Sequence, residues 1–227
     1  MVSCAAVMAT ALLIGTTNVR SQYYYPGYQS YSQPGPFYLN VDVGGALLHD
    51  LTIKNSGGEL SFDPGTRADF TFGFRFAPQL AVEFETGVIW NSVSQTNGVD
   101  LASMDERADL YQVPFLANLV CQLPLRGGFG AYLGAGAGGI ASTFYLRHHE
   151  TFGGFDFRVH DEDSDFTFAY QAMAGVKYSL GWNMEVGVGY KFLGTLGHTW
   201  FKDDPTLETR TGNVYSHSIL ATFTWAF

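Results

Sequence analysis

The carboxy-terminal stretch YSHSILATFTWAF, Tyr215 to Phe227, constrains the fold more than any other part of the chain. Every second residue from Ile219 through Ala221, Phe223 and Trp225 to the terminal Phe227 is apolar, while Ser216, Ser218, Thr222 and Thr224 alternate with them. A period of two with one apolar face is a β-strand. A strand that runs to the end of its chain templates aggregation unless both of its sides are paired, so the pattern points to a sheet that closes on itself.

Seven further segments repeat the pattern upstream. FYLNVDV sets Phe37, Leu39, Val41 and Val43 against Asn40 and Asp42, and RADFTFGFRFA sets Ala68, Phe70, Phe72, Phe74 and Phe76 against Arg67, Asp69, Thr71 and Arg75. LAVEFETGVIW opposes Leu80, Val82, Phe84, Val88 and Trp90 to Glu83 and Glu85, and YQVPFLANLVCQL opposes Tyr111, Val113, Phe115 and Leu119 to Gln112, Pro114 and Asn118. FGAYLGAGAGGIAS is small on both faces. FTFAYQAMAGVKY places Phe168, Tyr170, Val176 and Tyr178 opposite Gln171 and Lys177, and MEVGVGYKF places Met184, Val186, Val188, Tyr190 and Phe192 opposite Glu185 and Lys191. The connections APQ, PLRGG and SLGWN are short; those near residues 46–66, 92–109, 146–165 and 194–214 are long and polar. An up-and-down meander puts the short turns and both termini at one end and the long loops at the other.

Alternation leaves open which way the apolar face points, since a soluble barrel has the same period. Volume decides it. The bore of an eight-stranded barrel holds on the order of a dozen packed side chains, far fewer than these apolar faces carry, so they must face outward into lipid. Each segment is long enough to cross the hydrocarbon at a tilt, and closure satisfies every backbone group where water is absent. Trp90, Trp182, Trp225, Tyr178 and Tyr190 sit near strand ends, where aromatic girdles belong. The other face predicts a narrow polar lumen. Composition agrees: charged residues make up only 15% of the chain, too few for an ordinary soluble surface. The net charge of −9, with no Lys/Arg run, excludes nucleic acid as a partner. Cys4 and Cys121 support no disulfide framework.

The opening VSCAAVMATALLIG is too short to span a bilayer and reads as the core of an export signal over residues 1–21. No Lys or Arg precedes it, so the true start is expected upstream. Residues 22–36, QYYYPGYQSYSQPGP, have no period and read as a flexible lead-in. The barrel domain is expected over 37–227.

On FYLNVDVGG, YQVPFLANLV, YLGAGAG, FAYQAMAGVKYSL, VGVGYKF and TFTWAF, the chain resembles the small outer-membrane β-barrels of the OmpA/OmpX-like, opacity-protein type. The resemblance implies that Ile219, Ala221, Phe223, Trp225 and Phe227 form the carboxy-terminal motif read by the barrel-assembly machinery. It also implies roles in envelope integrity, adhesion or antigenicity.

Charges on the inward faces are expected to pair. Antiparallel register can set Lys177 opposite Glu185 and Arg75 against or diagonal to Glu83; with Glu85 and Lys191 these form a lumen ion-pair network that fills the bore. GAGAGG, Gly134 to Gly139, matches a dinucleotide fingerprint only formally, because no helix follows it. It reads as small inward residues that make room for neighbours. The segment LRHHETFGGFDFRVHDEDSD alternates Asp161, Asp163 and Asp165, but Phe166 stands where a calcium loop wants Gly, so a solvated acidic loop is expected and no metal. A lipid-hydrolysing dyad needs His and Ser on one face; here His217 faces lipid while Ser216 and Ser218 face inward.

The sequence therefore predicts an all-β, eight-stranded antiparallel up-and-down transmembrane β-barrel in the outer membrane of a Gram-negative cell. Its expected role is non-enzymatic and structural or surface-interacting, without cofactor. The expected partners are outer-membrane lipid and lipopolysaccharide, the barrel-assembly machinery, and a host or surface ligand for the four long loops. The competing reading is a soluble or periplasmic barrel that binds a small apolar ligand.

Overall fold

The alternating segments form eight long strands: β1 (Phe37–Leu48), β2 (Gly65–Ala77), β3 (Leu80–Thr96), β4 (Arg107–Pro124), β5 (Phe129–Phe152), β6 (Phe155–Gly181), β7 (Met184–Thr195) and β8 (Val214–Ala226). The computed structural model describes residues 35–52, 58–96, 98–100, 107–152, 155–200 and 209–227. The expected export signal and nearly all of the lead-in lie outside the described residues.

Each strand pairs antiparallel with the next, from β1–β2 through β7–β8. β8 then returns to β1, from Tyr38↔Ala226 to Leu48↔Ser216, and closes the barrel. The final strand is thus hydrogen-bonded on both sides, and the Phe227 amide donates to the Phe37 carbonyl at 2.9 Å. Within the closed wall β1 and β8 therefore present no free edge.

The wall faces the way the volume argument requires. Val43, Phe70, Phe84, Val188 and Ile219 lie on the outside, with Ile219 68% exposed, while Asp42, Asp69, Glu85 and Lys191 are buried within. An apolar exterior around a charged interior is the inverse of a soluble barrel, so the small-ligand alternative is not favoured.

The short turns are tighter than the sequence suggests. β6 and β7 are joined by Trp182 and Asn183 alone, whose φ values of 53° and 64° both lie in the left-handed region. That is the backbone requirement of a two-residue hairpin whose twist matches its strands. At the opposite end the expected long loop at 146–165 is corrected. β5 and β6 stay paired through Arg147↔His160 and out to Phe152↔Phe155, making a hairpin that extends beyond the other strands. Two shorter ladders flank it: Leu51–Thr52 pairs with Glu59–Phe62, which joins β3, and Thr199–Trp200 pairs with Thr209–Arg210.

Candidate functional site

The interior is organised in layers. At the short-turn end Tyr38 is buried, and its ring fits because β2 has no side chain at Gly73; a Cβ there would lie inside the ring's van der Waals envelope. The Arg75 guanidinium stacks over the Tyr38 ring, 4.4 Å from its centre, and donates from Nε to Gln122 Oε1 at 3.1 Å. The Tyr38 hydroxyl donates to Glu83 Oε1. Arg75 and Glu83, expected to meet directly or on the diagonal, stand diagonally, since Arg75 faces Ala81 and Glu83 faces Gly73. They come together around Tyr38.

Lys177 and Glu185 are not opposite one another. Lys177 faces Gly187 and Glu185 faces Ser179, because the two-residue turn and the irregularity at Met184/Glu185 set a different register. Lys177 instead donates to Thr224 Oγ1 at 2.9 Å and sits 5.1 Å from the Tyr132 ring centre.

The middle layer is a fully buried charge network. Lys191 Nζ lies 2.8 Å from Asp42 Oδ2, 2.8 Å from Asp69 Oδ2 and 3.1 Å from Glu85 Oε2. Arg67 donates from Nε to Asp69 Oδ2 at 2.8 Å and from Nη2 to Glu85 Oε1 at 2.8 Å and Gln171 Oε1 at 3.2 Å. Gln171 and Asn118 donate to Glu85 Oε2, at 2.9 and 3.1 Å. Several of these contacts cross the bore, among them Arg67 on β2 to Gln171 on β6 and Lys191 on β7 to Glu85 on β3. At this level the bore is spanned by side chains.

Of the residues singled out from sequence, Glu85 and Lys191 belong to this network. Asp42, Arg67 and Asp69 were missed as partners, although each lies in the inward set of its strand. A usable sign existed: Asp42 faces Asp69 across β1–β2, and two opposed carboxylates require a cation.

Above the charges the lumen holds apolar layers as well as buried polar residues such as Asn91, Gln112, Ser142 and Ser216. Ala46, Ile89, Leu116, Ile140, Ala169 and Leu193 form a buried apolar layer, with Leu48, Leu51, Leu110 and Val214 beyond it. This corrects the expectation of a hydrophilic bore throughout: the lumen is narrow enough to pack like a core.

At the long-loop rim, His198 Nε2 lies 3.3 Å from Thr195 Oγ1 and His198 Nδ1 lies 3.3 Å from Asp165 Oδ2. Hydroxyl, imidazole and carboxylate follow the order of a catalytic triad. Thr195 and His198 are each only 1% exposed, so the hydroxyl is presented to no substrate. The Ser216 and Ser218 side chains are buried inward, while His217 lies on the outer face against the Tyr190 hydroxyl. On the same outer face, Ile219, Phe223, Trp225 and Phe227 are exposed.

The family model of the outer membrane protein beta-barrel domain matches residues 4–227. Among solved structures, the chain is similar to Neisserial surface protein A at 16% identity and a TM-score of 0.53, over 85% of this chain and 98% of that one. It is also similar to the outer membrane protein OprG from Pseudomonas aeruginosa, at 16% identity and a TM-score of 0.51, over 86% and 98% of the two chains. The outer membrane protein AlkL, solved in lipid bilayers, gives 16% and 0.51 over 90% and 96%. At such identities the likeness is one of fold. No curated protein matches the sequence.

Proposed function

Because the chain belongs to the outer membrane protein beta-barrel domain family and resides in the outer membrane, we propose that it acts there without catalysis, as a structural and surface-interacting barrel. The observation that carries this reading is the spanned bore. Contacts of 3.1 Å between Lys191 and Glu85 and 3.2 Å between Arg67 and Gln171 carry side chains across the bore at mid-height. An apolar layer lies above them. A barrel spanned in this way does its work on its outside: with lipid and lipopolysaccharide along the wall, and with a host or surface ligand at the long-loop rim. Envelope integrity and attachment are the roles that this division supports.

Purified protein reconstituted in planar bilayers is expected to give no steady conductance, since water-filled channels need about 16 strands. Stable open channels from the monomer would overturn the reading.

The terminal set Ile219, Ala221, Phe223, Trp225 and Phe227 is proposed as the motif that the barrel-assembly machinery reads. Deleting Phe227 removes one backbone hydrogen bond, between its amide and the Phe37 carbonyl. That loss is small for refolded protein. Deletion is therefore expected to lower the amount of assembled barrel in cells several-fold while leaving refolding into detergent nearly unchanged. Equal losses in both settings would make Phe227 merely a packing residue.

A further inference from the structure

Where β1, β7 and β8 meet near the long-loop end, the outer wall carries imidazole and phenol groups among Leu47, Phe192 and Ile219. His49 follows the last residue of β1 and is fixed there by its amide, which donates to the Tyr215 carbonyl at 2.9 Å. His217 lies on the outward face of β8, and its Nδ1 is 2.6 Å from the Tyr190 hydroxyl of β7. The two imidazoles, distant in sequence, are neighbours in space: their ring centroids are 5.0 Å apart and tilted by 55°.

That separation falls in the range that a shared metal sets and that aromatic packing also reaches. With a metal–nitrogen bond of about 2.0–2.1 Å and a ring centre roughly 1.2 Å further on, two imidazoles on adjacent coordination positions have centres roughly 4.6–5.3 Å apart. The Tyr190 contact supplies the orientation. If His217 donates its Nδ1–H to the phenol oxygen, the lone pair stays on Nε2, as metal-bound histidines are held by a partner on the other ring nitrogen. We propose that His49 and His217 form a two-imidazole site for a borderline divalent transition metal such as copper(II), nickel or zinc, with Tyr190 as its positioning residue. Water completes the coordination. Imidazole prefers these ions to magnesium and calcium, which take oxygen ligands, and copper(II) binds tightest.

The test uses the full chain folded in detergent micelles, in a His148→Gln/His149→Gln background that removes the neighbouring histidine pair of the β5–β6 hairpin. Titration with nickel and copper(II), followed by calorimetry and by the imidazole NMR signals, is expected to show one site that excess magnesium does not displace. His49→Gln or His217→Gln lowers its affinity at least tenfold, and Tyr190→Phe lowers it by about tenfold. Unchanged affinity in the His49→Gln/His217→Gln double variant would overturn the site and leave the rings as aromatic packing only. Should those variants fail to fold, substoichiometric copper(II) added to the unaltered protein decides. It must broaden the His49 and His217 signals together and before those of His148, His149, His160 and His198; broadening that begins elsewhere refutes the proposal.

Discussion

Replacing Lys191 with methionine is expected to destabilise the folded barrel by about 3–5 kcal/mol, the cost of leaving a buried charge uncompensated. Lys191 contacts Asp42, Asp69 and Glu85 at 2.8, 2.8 and 3.1 Å, with its side chain 3% exposed. Methionine keeps the length and most of the volume of the stem, so little is lost in packing and the effect isolates the charge. Without Lys191 three carboxylates share one cation, Arg67, which already contacts Asp69 and Glu85. Asp42, facing Asp69 across β1–β2, loses its ammonium partner altogether. The shift in the urea midpoint of vesicle-reconstituted protein measures the loss. A Lys191→Met/Asp69→Asn pair is the control. Removing one carboxylate along with the ammonium relieves the imbalance, so the double variant is expected to be less destabilised than the two single effects sum to. Strict additivity would show that the network is not electrostatically coupled.

The residues that the sequence could and could not bring together divide along physical lines. Within the bilayer each strand must show lipid one face and the lumen the other, so Phe70, Phe72, Phe74 and Phe76 declare their strand by spacing alone. Beyond the lipid that demand lapses. In residues 146–165 the apolar alternation is confined to Phe155, Phe157 and Val159, and the polar runs RHHET and HDEDSD on either side carry no such period, so the β5–β6 hairpin is weakly marked although the backbone pairs to Phe152↔Phe155. Local register misled in a different way: SLGWN reads as a short five-residue connection, yet Trp182 and Asn183 accept left-handed φ values and close the hairpin in two residues. That moves Glu185 away from Lys177. Contacts across the barrel, such as Lys191 to Asp42 and Arg67 to Gln171, depend on strand order and stagger, which no single segment encodes. The same holds for His49 and His217, which meet only because β8 closes onto β1.

The apolar upper lumen follows a simple rule that the sequence reading overlooked. Leu116 and Leu193 occupy inward positions of strands judged by their outward residues. In a bore this narrow an inward leucine meets other apolar side chains, here Ile89 and Ile140, and is as well buried as in a soluble core. In the charged layer below, Arg67 Nε and Nη2 and Lys191 Nζ are matched to carboxylates, while Arg67 Nη1 is buried without a hydrogen-bond partner.

Phe70→Arg is expected to cost about 2–4 kcal/mol, whereas Phe76→Arg costs about 0–1 kcal/mol. Both side chains lie on the outer face of β2 and are comparably exposed, 47% and 38%, so an account based on lost contact area predicts similar effects. Depth separates them. Phe70 faces Val41 near the middle of β1 and lies midway along its own strand, whereas Phe76 is one residue from the Ala77 end. A guanidinium at mid-height must drag water or headgroups inward, while at the rim it reaches the interface along its own stem. Unfolding of the two variants in vesicles of one thickness measures the difference. On a water-exposed surface neither substitution would cost anything and both would raise solubility. A gradient that runs from large at Phe70 to negligible at Phe76 therefore requires a bilayer around the barrel. Equal effects at the two positions would mean that the wall of phenylalanines does not stand in lipid.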